Sequence, residues 1–367
     1  MLSKLRSCRI VKWCVIIIIL LYADQIYEIL VRRRQVETLE YETVQGRGDE
    51  MKNKALHPTL SKDCYIYKNA SAQNICCRMH DYMANLHDVL TCLQLDFEGA
   101  KRVRSSGFRQ EDGGRWLIAG DSRMRFFFFG IIRRFASPRL EYRYTKGKMK
   151  TWQGVDHLLR RKAPYIFKED MEIRHLDVPD LKIVFYWDAR LQRLVKDMTW
   201  WLKYEANRPI RLIVSTGAHY MIHSKDVFKK KGRAGAAAKF RRHLQRNWRN
   251  LNSLGRKIPV TFHFIDHFQE KLVYPQLKNV WNNDNVDYYN VLLKSKLSSS
   301  SLISWDSNVP LSGDYHDQCA ADPKKTDDLA WRCHDPVHMG FGVIDQYWNM
   351  FLNDVCNKYL SLREDYC

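Results

Sequence analysis

Three side chains in this sequence are of the right kind for nucleophilic chemistry. Ser122 follows an apolar run of strand length, Trp116 to Ala119, that ends in Gly120-Asp121. Asp335 and His338 lie far downstream in Asp-Pro-Val-His, three residues apart. A serine placed where a strand turns directly into a helix exposes its hydroxyl beside free backbone N–H groups and the positive end of the helix dipole. That position suits a nucleophile whose product is an oxyanion. A carboxylate three residues before a histidine, in a loop stiffened by Pro336, can fold back and accept from the imidazole N–H. His316 and His334 are the other C-terminal histidines available as a base. The second oxyanion donor is expected from Ser215-Thr216-Gly217-Ala218-His219, where a strand ends in a glycine loop. The Ser122 and Gly217 amides and the His219 ring are the candidate oxyanion donors. Each motif also has an ordinary reading as a turn, a helix cap or a solvated loop.

Such an arrangement needs a scaffold that brings strand ends together. Strand-like runs occur at 115–119, 181–187, 211–215, 259–265 and 302–305, with helix-like segments at 122–135, 192–204, 236–251, 286–297 and 342–359. Several of the strands are continuous apolar runs, as strands buried on both faces should be. The alternation predicts an α/β fold in three layers, a mainly parallel sheet with helices on both faces. Ligands then bind at the carboxyl ends of the strands.

The chain has 367 residues, 45% hydrophobic and with a formal net charge of +19, so it can bury a large core and should attract acidic partners. No zinc-finger, helix-turn-helix or RNA-recognition spacing accompanies the charge, and nucleic acid is not expected as a partner. The densest basic run is Lys229-Lys230-Lys231-Gly232-Arg233, continuing through Lys239, Arg241, Arg242, Arg246 and Arg249. It fits an acidic glycan, an anionic lipid surface or a solvated helix face.

Cys64, Cys76, Cys77, Cys92, Cys319, Cys333, Cys356 and Cys367 lie toward the two ends of the globular part, without a Cys-x-x-Cys pair. They read as disulfides formed in an oxidising compartment, with the pairing open among about 105 possibilities. Asn69-Ala70-Ser71 is an N-glycosylation acceptor. At the N-terminus, a basic stretch precedes an apolar run from Trp13 to Ala23. Residues 1–9 are expected as a cytosolic tail, 10–31 as a transmembrane signal-anchor, 32–62 as a stem and 63–367 as the lumenal catalytic domain. A cleaved signal peptide is the competing reading, and both place the remainder in the secretory lumen.

Taken together and in order, six pieces resemble the SGNH/GDSL-like, PC-esterase group of glycan O-acetyltransferases. They are Cys77-Arg-Met-His-Asp-Tyr82 with Cys92, Gly120-Asp-Ser-Arg-Met-Arg125, the strand Ile183 to Trp187, the loop after Val214, Asp335-x-x-His338, and Met350 to Asn357. The nearest likeness is to the lumenal catalytic domain of the animal sialic-acid O-acetyltransferase family. The resemblance implies an SGNH-hydrolase-like fold, with Ser122 as nucleophile, His338 as base and Asp335 as its partner. Arg123 and Arg125, beside the nucleophile, become candidate substrate contacts. An acetyl group would pass through acetyl-serine from acetyl-CoA, or another acetyl donor used as a substrate, to a sugar hydroxyl. No bound cofactor and no metal are implied. The expected partners are a glycan acceptor, an acidic one included, the membrane through the N-terminal anchor, and a membrane protein on the donor side. The expected location is a Golgi or other secretory-pathway membrane, single-pass type II with a lumenal domain. Water in place of the sugar would make the protein a carbohydrate O-acetyl esterase. A non-catalytic glycan-binding protein on the same scaffold is the third reading.

Overall fold

The structure is a computed structural model that describes residues 57–103, 114–145, 151–159, 169–322, 329–360 and 362–367. The expected tail, the expected span at 10–31 and most of the expected stem lie outside the described residues. No helix among the described residues is long and apolar enough to cross a membrane.

In chain order the elements are β1 (Tyr65–Lys68), β2 (Ser71–Asn74), α1 (Leu86–Val103), β3 (Gly114–Gly120), α2 (Ser122–Arg134), β4 (Leu140–Tyr144), β5 (Gln153–Gly154), α3 (Val155–Leu159), β6 (Met171–His175) and β7 (Val178–Trp187). There follow α4 (Gln192–Lys203), β8 (Arg211–Val214), α5 (Ala218–His223), α6 (Lys225–Gly255), β9 (Val260–His263), α7 (Asn283–Leu297), β10 (Ile303–Trp305), α8 (Asn308–Ala321) and α9 (Phe341–Cys356).

The main sheet runs β10-β9-β8-β3-β7-β6-β4-β5. Strands β10, β9, β8, β3 and β7 are parallel, and β6, β4 and β5 extend the sheet antiparallel beyond β7. The expectation of a mainly parallel sheet thus holds for the five strands that carry the apolar runs. The extension over 140–175 was not expected, because Leu-Glu-Tyr-Arg-Tyr and Met-Glu-Ile-Arg-His alternate and carry no long apolar run. Within the parallel part, β7-β3-β8-β9-β10 is a doubly wound order whose connections change direction between β3 and β8. A crevice opens at such a point, outside the carboxyl ends of the strands.

Two apolar cores cover the faces of the sheet. One gathers Trp116, Ile118, Phe127, Phe128, Trp348 and Phe351, and the other Leu117, Ala119, Leu212, Val214, Phe240 and Leu293. Successive residues of β3 alternate between the two, as the pleat requires. Helix α6 begins at Lys225, well before the expected Ala236, and absorbs the basic run with a break at Gly232 (φ 65°, ψ −170°). Helices α1 and α8 were also not expected. In α1 the buried Val89, Cys92, Leu93 and Phe97 do recur at helical spacing and could have announced it, whereas the polar and apolar residues of α8 mix too closely to do so.

The first and last described segments are clasped together. Disulfides join Cys77 to Cys367 and Cys92 to Cys356, while Cys64–Cys76 and Cys319–Cys333 close local loops. All eight expected cysteines are therefore paired. Asn349, Asn353 and Asn357 repeat at four-residue intervals on and just beyond α9. Their side-chain oxygens accept from Tyr82 N–H (2.9 Å), His80 N–H (2.7 Å) and Tyr82 O–H (2.7 Å). Residues 57–62, expected in the stem, pack on this body: Leu60 is fully buried and its carbonyl accepts from Asp306 and Ser307 N–H, each at 3.1 Å. Asn69 is exposed at the tip of the β1–β2 hairpin, where it and Ala70 have φ 57° and 56°. Positive φ at both central positions fits a two-residue hairpin turn, and the acceptor asparagine is presented to solvent.

Candidate active site

Strand β3 delivers Ser122 to the carboxyl edge. A Cβ on Gly120 would lie 2.5 Å from Met124 Cγ and 3.0 Å from the Ser215 carbonyl oxygen, so only glycine lets α2 start this close to the strand. Asp121, not Ser122, caps the helix: its Oδ1 accepts from Arg123 N–H at 3.0 Å. Ser122 is the first helical residue, half-buried, with an amide that has no acceptor one turn back in the helix.

His338 meets it from the other end of the chain. Ser122 Oγ lies 2.7 Å from His338 Nε2, across 216 residues of sequence. His338 Nδ1 lies 2.9 Å from Asp335 Oδ2. The remaining capacity of the carboxylate is filled too: Oδ1 accepts from Val337 N–H (2.9 Å) and His338 N–H (3.0 Å), and Oδ2 from Arg332 Nη2 (2.9 Å). Burial by itself would raise the Asp335 pKa. The hydrogen bond from His338, its charge and the two backbone donors outweigh burial and hold the carboxyl far below the ordinary carboxylate range. With Asp335 ionised, the ring proton belongs on Nδ1, and Nε2 is left to accept from the serine hydroxyl.

The imidazole is also packed in place. Phe126, one helical turn after Ser122, stacks on His338 with centroids 4.6 Å apart and planes at 19°. The Arg332 guanidinium lies 4.8 Å from the Phe126 ring centre while it bonds Asp335. Arg332 has φ 42°, in the left-handed region that non-glycine residues seldom occupy. The loop is held on all sides. Cys333 is bridged to Cys319 of α8, Gly340 N–H donates to Tyr315 Oη at 3.0 Å, and Gln269 N–H donates to the Pro336 carbonyl at 3.0 Å. Phe126 and Arg332 were not singled out from sequence. The i, i+4 spacing of Ser122 and Phe126 could have pointed to the first.

Gly217 follows β8, the neighbour of β3 across the change of winding direction, with Ser215 N–H donating to the Ala119 carbonyl at 3.1 Å. Its φ is +141°, and a Cβ there would fall 2.1 Å from Ile265 Cδ1, so the position admits only glycine. The Ser122 and Gly217 amides thus lie on adjacent loops at one sheet edge. His219, the second residue of α5, stands edge-on to Trp187 at 6.1 Å, and Trp187 ends β7 opposite Gly120. The expected oxyanion residues share that edge with the triad.

Arg123 and Arg125, the expected substrate contacts, are both buried. Arg123 is 7% exposed, donates to the Asp266 carbonyl at 2.8 Å and lies 4.6 Å from the Phe268 ring centre. Arg125 is 5% exposed against Trp187, and burial pulls its pKa down to about 10 although Asp121 opposes the shift. Both side chains follow the helix inward and brace the loops around Ser122. Of the other histidines, His334 is exposed and His316 is buried, with Nε2 3.1 Å from the His267 carbonyl oxygen. Among the described residues, no group of three or more His, Cys, Asp or Glu is arranged to hold a metal ion.

Neither a protein-family model nor a curated protein matches this chain. Among solved structures, it is similar to Axe2, an acetylxylan esterase from Geobacillus stearothermophilus. The identity is 14% and the TM-score 0.32, over 69% of this chain and 98% of that one. A catalytic mutant of the same esterase gives 14% identity and a TM-score of 0.31 over the same shares.

Proposed function

We propose that this protein is a serine-dependent acyl-transfer enzyme that moves acetyl groups on glycan hydroxyls through an acetyl-serine intermediate. The observation that carries the reading is the continuous line from Ser122 Oγ to His338 Nε2 and from His338 Nδ1 to Asp335. His338 takes the hydroxyl proton as Ser122 Oγ attacks the acetyl carbonyl carbon. The Ser122 and Gly217 amides face the oxygen that becomes negative. Collapse of the tetrahedral adduct breaks the bond to the donor, whose leaving group takes the proton from His338. A sugar hydroxyl then gives its proton to His338 and attacks the acetyl-serine, and a second collapse breaks the bond to Ser122 Oγ, which takes that proton from His338. Acetyl-CoA fits as the donor substrate. Water entering at the second step gives an esterase with the same residues. The resemblance in the ordered motifs favours the sugar, and with it a sialic-acid O-acetyltransferase-like enzyme.

The four disulfides support an oxidising, secretory compartment. A Golgi membrane location, with residues 10–31 as a type II anchor and a membrane partner supplying the donor, belongs to the same proposal.

The deciding experiment is mass spectrometry of the full-length protein after a short exposure to acetyl-CoA or p-nitrophenyl acetate. The expected result is one added acetyl on Ser122, discharged faster when an oligosaccharide acceptor is added. Ser122→Ala should lose the adduct and about 10⁴-fold or more of the turnover. Turnover that survives in Ser122→Ala would remove Ser122 as the nucleophile, and a wild-type protein with neither adduct nor turnover would turn the reading toward a glycan-binding protein. Discharge insensitive to every oligosaccharide would turn it toward the esterase.

A further inference from the structure

Helix α6 carries charge in a pattern that its fold does not require. From Arg233 to Gly255 it holds six Lys and Arg and not one Asp or Glu. Ala236, Phe240, Leu244 and Leu251 face the core. Lys239, Arg242, Arg246 and Arg249 recur at spacings of three, four and three, and all four are exposed. At 3.6 residues per turn they occupy an arc of about 80° on the side away from the buried residues and extend about 15 Å along the axis. None of the four has an acidic partner among the described residues. A solvated helix face ordinarily alternates signs at i, i+4. Four like charges in one row repel each other and cost stability.

Helix α6 leaves the catalytic edge at its N-terminal end and runs back to the start of β9, which is parallel to β8. Helix α5 starts directly after Gly217, and its Tyr220 ring packs 5.2 Å from Phe240 and 5.4 Å from His243 of α6. Tyr220 O–H also donates to the carbonyl of Arg190, at 3.1 Å, in the loop that leaves β7. The field at this junction is positive: burial, and then Arg190 and Arg246, push the His243 pKa down. A polymer lying along α6 would therefore run, toward the N-terminal end of the helix, in the direction of the sheet edge that carries Ser122.

We propose that the row Lys239, Arg242, Arg246 and Arg249 is a docking track for an anionic polysaccharide, a sulfated or uronate-rich chain whose hydroxyls are acetylated at the triad. The advance of about 5 Å per cation along the helix is comparable with one sugar unit. Exposed Gln245 and partly exposed Asn250 supply amide groups for sugar hydroxyls beside the charges. The identity of the chemistry rests on the acyl-transfer reading; the binding does not.

The test is equilibrium binding of a heparin decasaccharide to the full-length protein, with no acetyl donor present. Replacing Lys239, Arg242, Arg246 and Arg249 together by Gln should weaken binding at least about tenfold at physiological salt. It should also make the plot of log affinity against log salt shallower by about 3. Replacing Lys229, Lys230 and Lys231 by Gln removes nearly as much charge from another turn and should change little. Restoring the row as four lysines should recover most of the affinity. Ser122→Ala should bind as the wild type does, so a failed acyl-transfer reading leaves this result intact. Wild-type affinity in the four-residue variant, or an equal loss in the Lys229–Lys231 control, would overturn the track. Tighter binding of phosphatidylserine vesicles or single-stranded DNA than of the decasaccharide would reject the polysaccharide as its occupant.

Discussion

Two aspartate–histidine pairs in this molecule share a geometry and differ in their surroundings. At the sheet edge, His338 Nδ1 lies 2.9 Å from Asp335 Oδ2. In the clasp that joins the first and last described segments, His80 Nε2 lies 2.7 Å from Asp88 Oδ2. The first imidazole has a serine hydroxyl on its far nitrogen and a phenyl ring stacked on its face. The second packs edge-on against Tyr82 at 4.7 Å and near Tyr366 at 6.3 Å, and its backbone N–H is taken by Asn353. Asp335 is saturated by four donors, two of them backbone N–H groups that fix its position. Asp88 is shared between His80 and the amide of Asn85 at 2.7 Å, inside the same short segment. The pair of residue types is therefore not the functional unit. What matters is whether a nucleophile completes the line and whether the loop is held rigidly enough to keep it.

That contrast can be broken most strongly at Asp335. Asp335→Asn keeps the shape but favours the wrong imidazole tautomer, and kcat for a small acetyl ester should fall by about 10³ to 10⁴-fold with little change in KM. A fall of less than tenfold would make the edge pair no different from the clasp pair. The next largest effect is expected in the clasp and on stability alone. Removing the Cys92–Cys356 bridge as a double serine variant should cost about 2–5 kcal/mol in chemical denaturation, with turnover per folded molecule retained. Asp88→Asn should cost about 1 kcal/mol, read from the same denaturation curves, and leave kcat within about twofold. A large loss of kcat in that variant would mean that the clasp reaches into the chemistry.

The smallest effect sharpens the comparison by pH. Burial depresses the His316 pKa to about 4, well under its unfolded value of about 6.5. The unfolded chain therefore binds more protons between those values, and stability is greatest above about pH 6.5 and declines as pH falls toward 4. The depressed Asp335 carboxyl acts in the same sense at lower pH, since its contribution is lost only as pH falls through its native value. Denaturation midpoints measured at pH 7, 6, 5 and 4 should decrease, and His316→Gln should flatten the part above pH 4. A midpoint that rises on acidification would mean that His316 gains a proton on folding.

The legible part of the site was local. Gly120-Asp121-Ser122 at a strand end and Asp335-x-x-His338 in one loop are short-range patterns, because a tight turn and a folded-back carboxylate are built from neighbouring residues. Arg332 escaped notice because its value depends on reaching Asp335 and Phe126 at once. Arg123 and Arg125 were singled out for their place beside the nucleophile; that both are buried depends on how α2 packs between the sheet and the loops. The expected apolar strands were found since β3, β8 and β9, and the Ile183–Phe185 part of β7, are buried on both faces. The antiparallel extension was not, since its strands alternate and its pairings are tertiary.

By itself, then, the sequence determined the parallel strands and the apolar helices between them, the nucleophile turn and the aspartate–histidine loop, each set by contacts within a few residues. Only the folded chain decided which cysteines pair, that Ser122 and His338 meet across 216 residues, and that Phe126 supports the ring. A buried Asp96 shows the reason: it binds Trp116 Nε1, Arg211 and Tyr359 O–H, each at 2.9 Å, from three distant parts of the chain. Such partners are chosen by the shape and desolvation of an assembled interior, which no short stretch of sequence encodes.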